Sequence, residues 1–146
     1  MTARPAVHRP DGRSLMRVLA CAAETDDDLG IVEMTFEPGA GGPPLHVHPT
    51  HGEGFYVLSG ELTVQVGDEV HTGDAGTWFW APRNTPHTLA NPSDHVTRLL
   101  SVFAPGGFER RFQRMLVAET GIAVPDELHA SETATQVVGP PLPRRC

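Results

Sequence analysis

Two histidines separated by one residue, His46 and His48, are followed by a glutamate, Glu53, and then by an apolar run, Phe55-Tyr56-Val57-Leu58, closed by Gly60. On a strand, alternation puts both imidazoles on one face. Two neutral nitrogens and one anionic oxygen held together suit a divalent first-row metal ion. One hairpin would supply these three donors. A complete site then asks for a β scaffold around them and at least one further ligand from another part of the chain.

The 146 residues suit one domain with a modest core. The net charge of −7 and the 11 arginines, never more than two in a row, speak against a nucleic-acid or anionic-membrane partner, which needs a clustered basic surface. No apolar run approaches the roughly 20 residues of a membrane-spanning helix. Residues 1–13 lack the apolar core of a secretory signal. The two cysteines, Cys21 and Cys146, form no CxxC pair and no disulfide framework, so a cytoplasmic location is the default expectation, with Cys21 as a small buried hydrophobe.

Fourteen prolines and fifteen glycines sit between short apolar runs rather than in one tract, which is the punctuation of an all-β domain. Residues 1–13 read as an arm. Strands are expected at 14–23, where a short helix is the alternative, and at 30–37, where Val32, Met34 and Phe36 share a face. Pro38 to Pro44 must be a turn that delivers the histidine strand. Residues 61–66 alternate as the second arm of a hairpin, and further strands fall at 70–72, 77–80, 87–91 and 96–104. Phe108, Phe112 and Met115 then recur at helical spacing, so a helix is expected over 107–119, docked through that stripe. Residues 125–128 read as the start of a second short helix, and 139–143 as extended chain. The expected division is an arm (1–13), a β-barrel (14–104) and a C-terminal helix with a tail (105–146).

The segment Gly76 to Asn91 carries a second histidine, His87, between Pro82 and Asn91. Together the two segments resemble the paired signatures of the cupin superfamily. His46, His48, Glu53 and Gly60 fit the first; Gly76, Pro82, His87 and Asn91 fit the second. Asn84 stands where the family usually has glycine, and asparagine tolerates the left-handed backbone such a turn demands. Ala40, flanked by Gly39 and Gly41, stands where a glycine is expected before His46, which points to a shifted turn. The resemblance implies a double-stranded β-helix, or jelly-roll barrel.

It also implies a ligand set of His46, His48, Glu53 and His87 around one divalent transition metal, with Fe, Mn, Ni, Co, Cu and Zn all compatible. The details look most like single-domain, quercetin-dioxygenase-like cupins, which implies an enol- or phenol-like substrate, for example a flavonol or polyketide. Dioxygen would be the co-substrate, and Glu53 would take the substrate's hydroxyl proton. A redox-neutral cyclase or isomerase, and a small-molecule-binding cupin without catalysis, are the alternatives. Parity with the ligands places Met34, Phe36, Phe55, Val57, Leu89 and Phe103 in the substrate pocket. His51, near enough to be a fifth ligand or a proton carrier, is expected as a solvated residue at the barrel mouth, within reach of a substrate. Asn91 is expected to settle a turn. Trp78, Phe79 and Trp80 are expected to pack the barrel wall rather than line the pocket. His8, His71, His95 and His129 are expected at the surface, and the resemblance implies a homodimer formed through residues 1–22.

Overall fold

A computed structural model describes residues 7–8, 14–120 and 135–143, with side chains omitted at 7–8 and 116–120. Among these residues eleven strands form two antiparallel sheets. The first sheet contains β1 (Val7–His8), β2 (Ser14–Ala20), β3 (Gly30–Phe36), β5 (Gly52–Ser59), β8 (Trp78–Ala81) and β10 (Thr97–Ala104), in the order β1-β2-β3-β10-β5-β8. The second contains β4 (His46–Val47), β6 (Glu61–Val66), β7 (Glu69–Asp74), β9 (His87–Ala90) and β11 (Gln136–Val137), in the order β11-β4-β9-β6-β7. Among the described residues one α-helix, α1 (Arg110–Thr120), follows β10. This is the all-β jelly-roll arrangement expected of the sequence.

Alternation drives the sandwich. In β3, Val32, Met34 and Phe36 are buried while Ile31, Glu33 and Thr35 between them are half-buried, and β10 alternates in the same way through Leu99, Ser101 and Phe103. The inward residues of both sheets meet in one core with Phe55, Val57, Leu62, Val64 and Leu89. Burying such a side chain contributes about 1.5–3 kcal/mol each, so the core fixes the register from which the ligand strands hang.

Strand β5 is buried on both faces over its first half. Its inward positions carry Glu53 and Phe55; its outward positions are Gly52 and Gly54, capped by indoles. A Cβ on Gly54 would meet the Trp78 ring at 2.0 Å, and one on Gly52 the Trp80 ring at 2.3 Å. The two indoles stack at 6.3 Å, half exposed on the outer wall. They are not among the walls of the cavity beside His46 and Glu53, and Phe79 between them packs inward against the core.

The stretch 14–23 is a strand only to Ala20; Ala22–Glu24 then make a 3-10 turn. Asn84 adopts φ 58°, the left-handed turn expected where the family has glycine, and its N–H donates to the His48 carbonyl at 3.0 Å. That bond ties the two signature segments together. Gly39 takes the positive φ of 67° one position before Ala40, so the turn is shifted as expected. Asn91 is fully buried, its amide donating to the carbonyls of Phe36, Glu37 and His95, so it settles the turn between β9 and β10.

Helix α1 begins three residues later than the spacing suggested: Gly107 has a φ of 129°, outside the helical region, and residues 108–109 form a turn. The Glu109 carboxylate fixes this corner. It accepts the N–H groups of Ala22 and Gly107, each at 2.7 Å, and pins the β10–α1 corner to the 3-10 turn. Phe108, Phe112 and Met115 pack on the core as expected. Cys21 is buried, its thiol donating to Glu24 Oε2 at 3.3 Å rather than bridged in a disulfide among the described residues. His71 and His95 are exposed. The side chain of His8, the proposed helix at 125–128 and His129 lie outside the described residues, as does most of the arm 1–13.

Candidate metal centre

Register brings the histidines together. His46 on β4 pairs directly with His87 on β9, and His48 follows two residues after His46 with its ring turned to the same side. Glu53 comes from β5 in the opposite sheet. All four side chains are buried, and one donor atom from each lies within 4.8 Å of the others. His48 Nε2 and His87 Nε2 sit 3.2 and 3.1 Å from the same Glu53 oxygen, Oε2. His46 Nε2 lies 3.2 Å from His48 Nε2.

The outer nitrogens explain why the inner ones converge. His46 Nδ1–H donates to the Pro44 carbonyl at 2.8 Å and His87 Nδ1–H to the Thr85 carbonyl at 2.9 Å. A carbonyl only accepts, so both rings carry their proton on Nδ1, and in the neutral form each presents a lone pair at Nε2. The His87 lone pair then faces a carboxylate oxygen, and the His46 lone pair faces a third imidazole. Acceptors aimed at acceptors repel unless a cation lies among them. Three imidazole nitrogens and one carboxylate oxygen therefore fit a divalent first-row ion, with a coordination position left for substrate or water.

Ionisation follows the same logic. Burial pushes Glu53 up, but its bonds to His48 and His87 outweigh that and hold its carboxyl down at about 2. Burial holds His46 down to about 4, helped by the charges of His87 and His48 and opposed by the Pro44 hydrogen bond. For His87, burial acts downward, yet the Glu53 bond and charge and the Thr85 carbonyl raise it above its ordinary value. Without metal, a proton on His87 answers part of the demand for a cation.

His51 is not the solvated loop residue expected. It is 1% exposed. Its ring stacks on His48 with centroids 4.2 Å apart and packs against Phe108 at 5.0 Å. Thr50 Oγ1 lies 3.1 Å from its Nδ1, while its Nε2 has no hydrogen-bond partner among the described residues. Burial, with the nearby His48 charge, keeps its pKa near 4. The loop that carries it is short and folds back under Phe108, a contact no local sequence signal announces.

A cavity of about 490 Å³ opens onto His46 and Glu53. Of the expected pocket residues, Met34, Phe36 and Leu89 line it. Phe55, Val57, Phe103 and His51 are buried but are not among its walls. Phe55 stands 6.2 Å from His87, and Phe103 packs on His51 and Phe108. The sequence reading missed the rest of the lining. Met16 pairs across the sheet with Met34; Pro43 and Pro44 precede His46; Phe108, Arg111, Phe112 and Met115 form the helical side; Thr135 and Val137 close the wall. The helical stripe was legible as apolar but not as a pocket wall, and nothing in the sequence marks Thr135.

A cupin-domain family model matches residues 32–103. The chain belongs to the cupin superfamily. Quercetin 2,3-dioxygenase of Bacillus subtilis (strain 168) is 30% identical over 106 residues, 71% of this chain but 30% of that relative, so this cupin spans less than a third of its length. The structure of KdgF from Halomonas sp. is 26% identical, with a TM-score of 0.61 over 69% of this chain and 86% of that one. An RmlC-like cupin from Shewanella frigidimarina, 24% identical with a TM-score of 0.60 over 70% and 85% of the two chains, shares the fold. Among the described residues, no helix is long and apolar enough to cross a membrane.

Proposed function

We propose that this cupin is a metal-dependent dioxygenase of a small, largely apolar enol or phenol, a flavonol or polyketide-like molecule. His46, His48, His87 and Glu53 would hold the single divalent ion. The observation that carries the reading is the shared floor: His46 and Glu53 belong both to the four-donor cluster and to the lining of an otherwise mostly apolar cavity.

When bound, a redox-active first-row ion supplies Lewis acidity and electron exchange with dioxygen. The protein's own groups do the rest. Met16, Met34, Phe36 and Leu89 exclude water from the substrate body. Glu53 uses Oε2 toward the imidazoles, which leaves Oε1 to take the hydroxyl proton of the substrate. The 30% identity to quercetin 2,3-dioxygenase supports the choice of reaction.

Oxygen uptake by metal-loaded protein mixed anaerobically with a panel of flavonols and other enols tests this reading. Uptake coupled to substrate loss is expected. Turnover that persists without oxygen would replace it with redox-neutral cyclase or isomerase chemistry. Tight binding without turnover would replace it with a binding role.

The assembly belongs to the same proposal. Residues 1–22 are the surface through which two copies pair, supported by the position of β1 at an outer edge of its sheet. Light scattering on a sizing column reads the dimer mass directly. The buried thiol of Cys21, hydrogen-bonded to Glu24 rather than bridged in a disulfide among the described residues, supports a reducing, cytoplasmic setting.

A further inference from the structure

Two of the three clustered imidazoles are oriented by their own neighbourhoods. His46 and His87 each bond the carbonyl two residues before them, Pro44 and Thr85. His48 has no such carbonyl. Its Nδ1 faces the hydroxyl of Thr135, 87 positions along the chain, at 3.4 Å. A threonine hydroxyl accepts as well as donates, so it takes an Nδ1–H and leaves Nε2 free to point at the centre.

The segment that presents Thr135 is clamped onto the ligand strand itself. Gln136 pairs with Val47 and Val137 with His46. Val138 and Gly139 N–H donate to the Leu45 carbonyl at 2.8 and 3.2 Å, and Leu45 N–H donates to the Pro140 carbonyl at 3.2 Å. Leu142 is buried at the far end. Thr135 and Val137 also form part of the cavity wall beside His46. The segment 135–142 itself lies outside the residues matched by the cupin-domain model, 32–103.

We propose that the C-terminal segment 135–142 is part of the metal centre, and that Thr135 is a positioning residue that sets the ring orientation and proton placement of His48. The proposal rests on the reading of the four donors as a metal site. The 3.4 Å contact is longer than the 2.8 and 2.9 Å contacts of the other two rings, so His48 is the least firmly oriented ligand and the one an added strand can tune. Partners of this kind to a ligating imidazole are worth about 10- to 100-fold in metal affinity.

The test is Thr135→Val, which keeps the shape and removes the oxygen, beside Thr135→Ala and Thr135→Ser. Affinity for cobalt(II), read by chelator competition and by its visible spectrum, should fall about 10- to 100-fold in the valine and alanine variants and return with serine. The 15N resonance of His48 Nδ1 in metal-free protein should move with valine and alanine and return with serine. Near-ultraviolet circular dichroism checks that each variant is folded, and the alanine variant stands in if valine disturbs the wall. Unchanged affinity and an unchanged Nδ1 resonance in both oxygen-free variants would overturn the proposal. If wild-type protein binds no divalent ion, the metal reading fails instead, and the Nδ1 resonance alone decides whether Thr135 governs His48.

Discussion

The donors and the cavity that serves them are built by different means. Strands β4, β5 and β9 place His46, Glu53 and His87 through cross-strand register, over a core in which Phe55, Val57, Leu99 and Phe103 have no exposed surface. The helix and the C-terminal strand do the opposite. They make few backbone pairings with the barrel and contribute by lying across its open end, where Phe108, Arg111, Phe112, Met115, Thr135 and Val137 form one side of the cavity. The lesson is a division of labour: the barrel fixes which atoms meet, and the later segment fixes what can reach them and, through Thr135, trims the orientation of His48. Mutations in the barrel should act on stability and metal together, whereas mutations in the later segment should act on ligand affinity with little effect on stability.

The largest expected contrast is between two phenylalanines that touch each other, with rings 6.1 Å apart. Phe103→Ala removes a fully buried barrel side chain and should cost about 3–5 kcal/mol in a denaturant melt. Phe112→Ala, on the half-buried helix stripe, should cost about 1 kcal/mol and instead raise KM for the substrate. Equal losses would erase the division between barrel and cover.

Glu109 is the joint between the two regions, and Glu109→Gln should cost about 1–3 kcal/mol. The amide keeps one acceptor for the N–H groups of Ala22 and Gly107 and turns an NH2 toward the other. The loss should appear as reduced hydrogen-exchange protection at those two amides. Unchanged protection would mean that the corner holds without its carboxylate.

Acid should loosen the donor cluster of metal-free protein. His46 and His51 are held near pKa 4 in the fold against 6.5 in the unfolded chain, so between those values the unfolded state binds more protons and stability falls as pH drops. His87, raised in the fold, works the other way: its contribution is present below 6.5 and is lost as pH rises through its folded value. That window lies above pH 6.5, so between about pH 6.5 and 4 the slope is set by His46 and His51 and is destabilising on acidification. His51→Leu should flatten it, as measured by melting temperature against pH. A slope unchanged by that variant would remove His51 from the buried cluster.

The smallest effect is expected at Arg111, an exposed cation on the cavity wall. Arg111→Gln should raise KM for anionic substrates by less than about 5-fold, because an exposed charge pair is worth about 1 kcal/mol or less. The kcat value and the melting temperature should stay put.

How much of this was legible in the sequence follows the same division. Period-two alternation in 30–37 and 61–66 and the Pro-Gly turns announced the sheets, since burial on one face leaves its mark at every second residue. The His46–Glu53 spacing and the His87 segment announced residues that the fold brings within one cluster, because strand parity carries side-chain direction. Parity says which face a residue takes but not how deep it lies along the barrel. That is why Met34 and Leu89 line the cavity while Val57 lies deeper in the core. His51 was misread because a polar loop residue gives no local sign of a distant phenylalanine folding over it. Thr135 was invisible, since its neighbours in sequence carry no periodicity and its role depends on a strand pairing with residues about 90 positions earlier.

Metal content settles the central claim most directly: His46, His48, Glu53 and His87 together hold one divalent ion. Elemental analysis of protein purified without a metal-affinity tag should find about one transition-metal ion per chain in the wild type. His48→Ala and His87→Ala should each lose it, with more than about a 100-fold drop in affinity on reconstitution, beyond what loss of an orienting partner produces. A metal content unchanged by both substitutions would contradict the assignment of these residues as a metal centre.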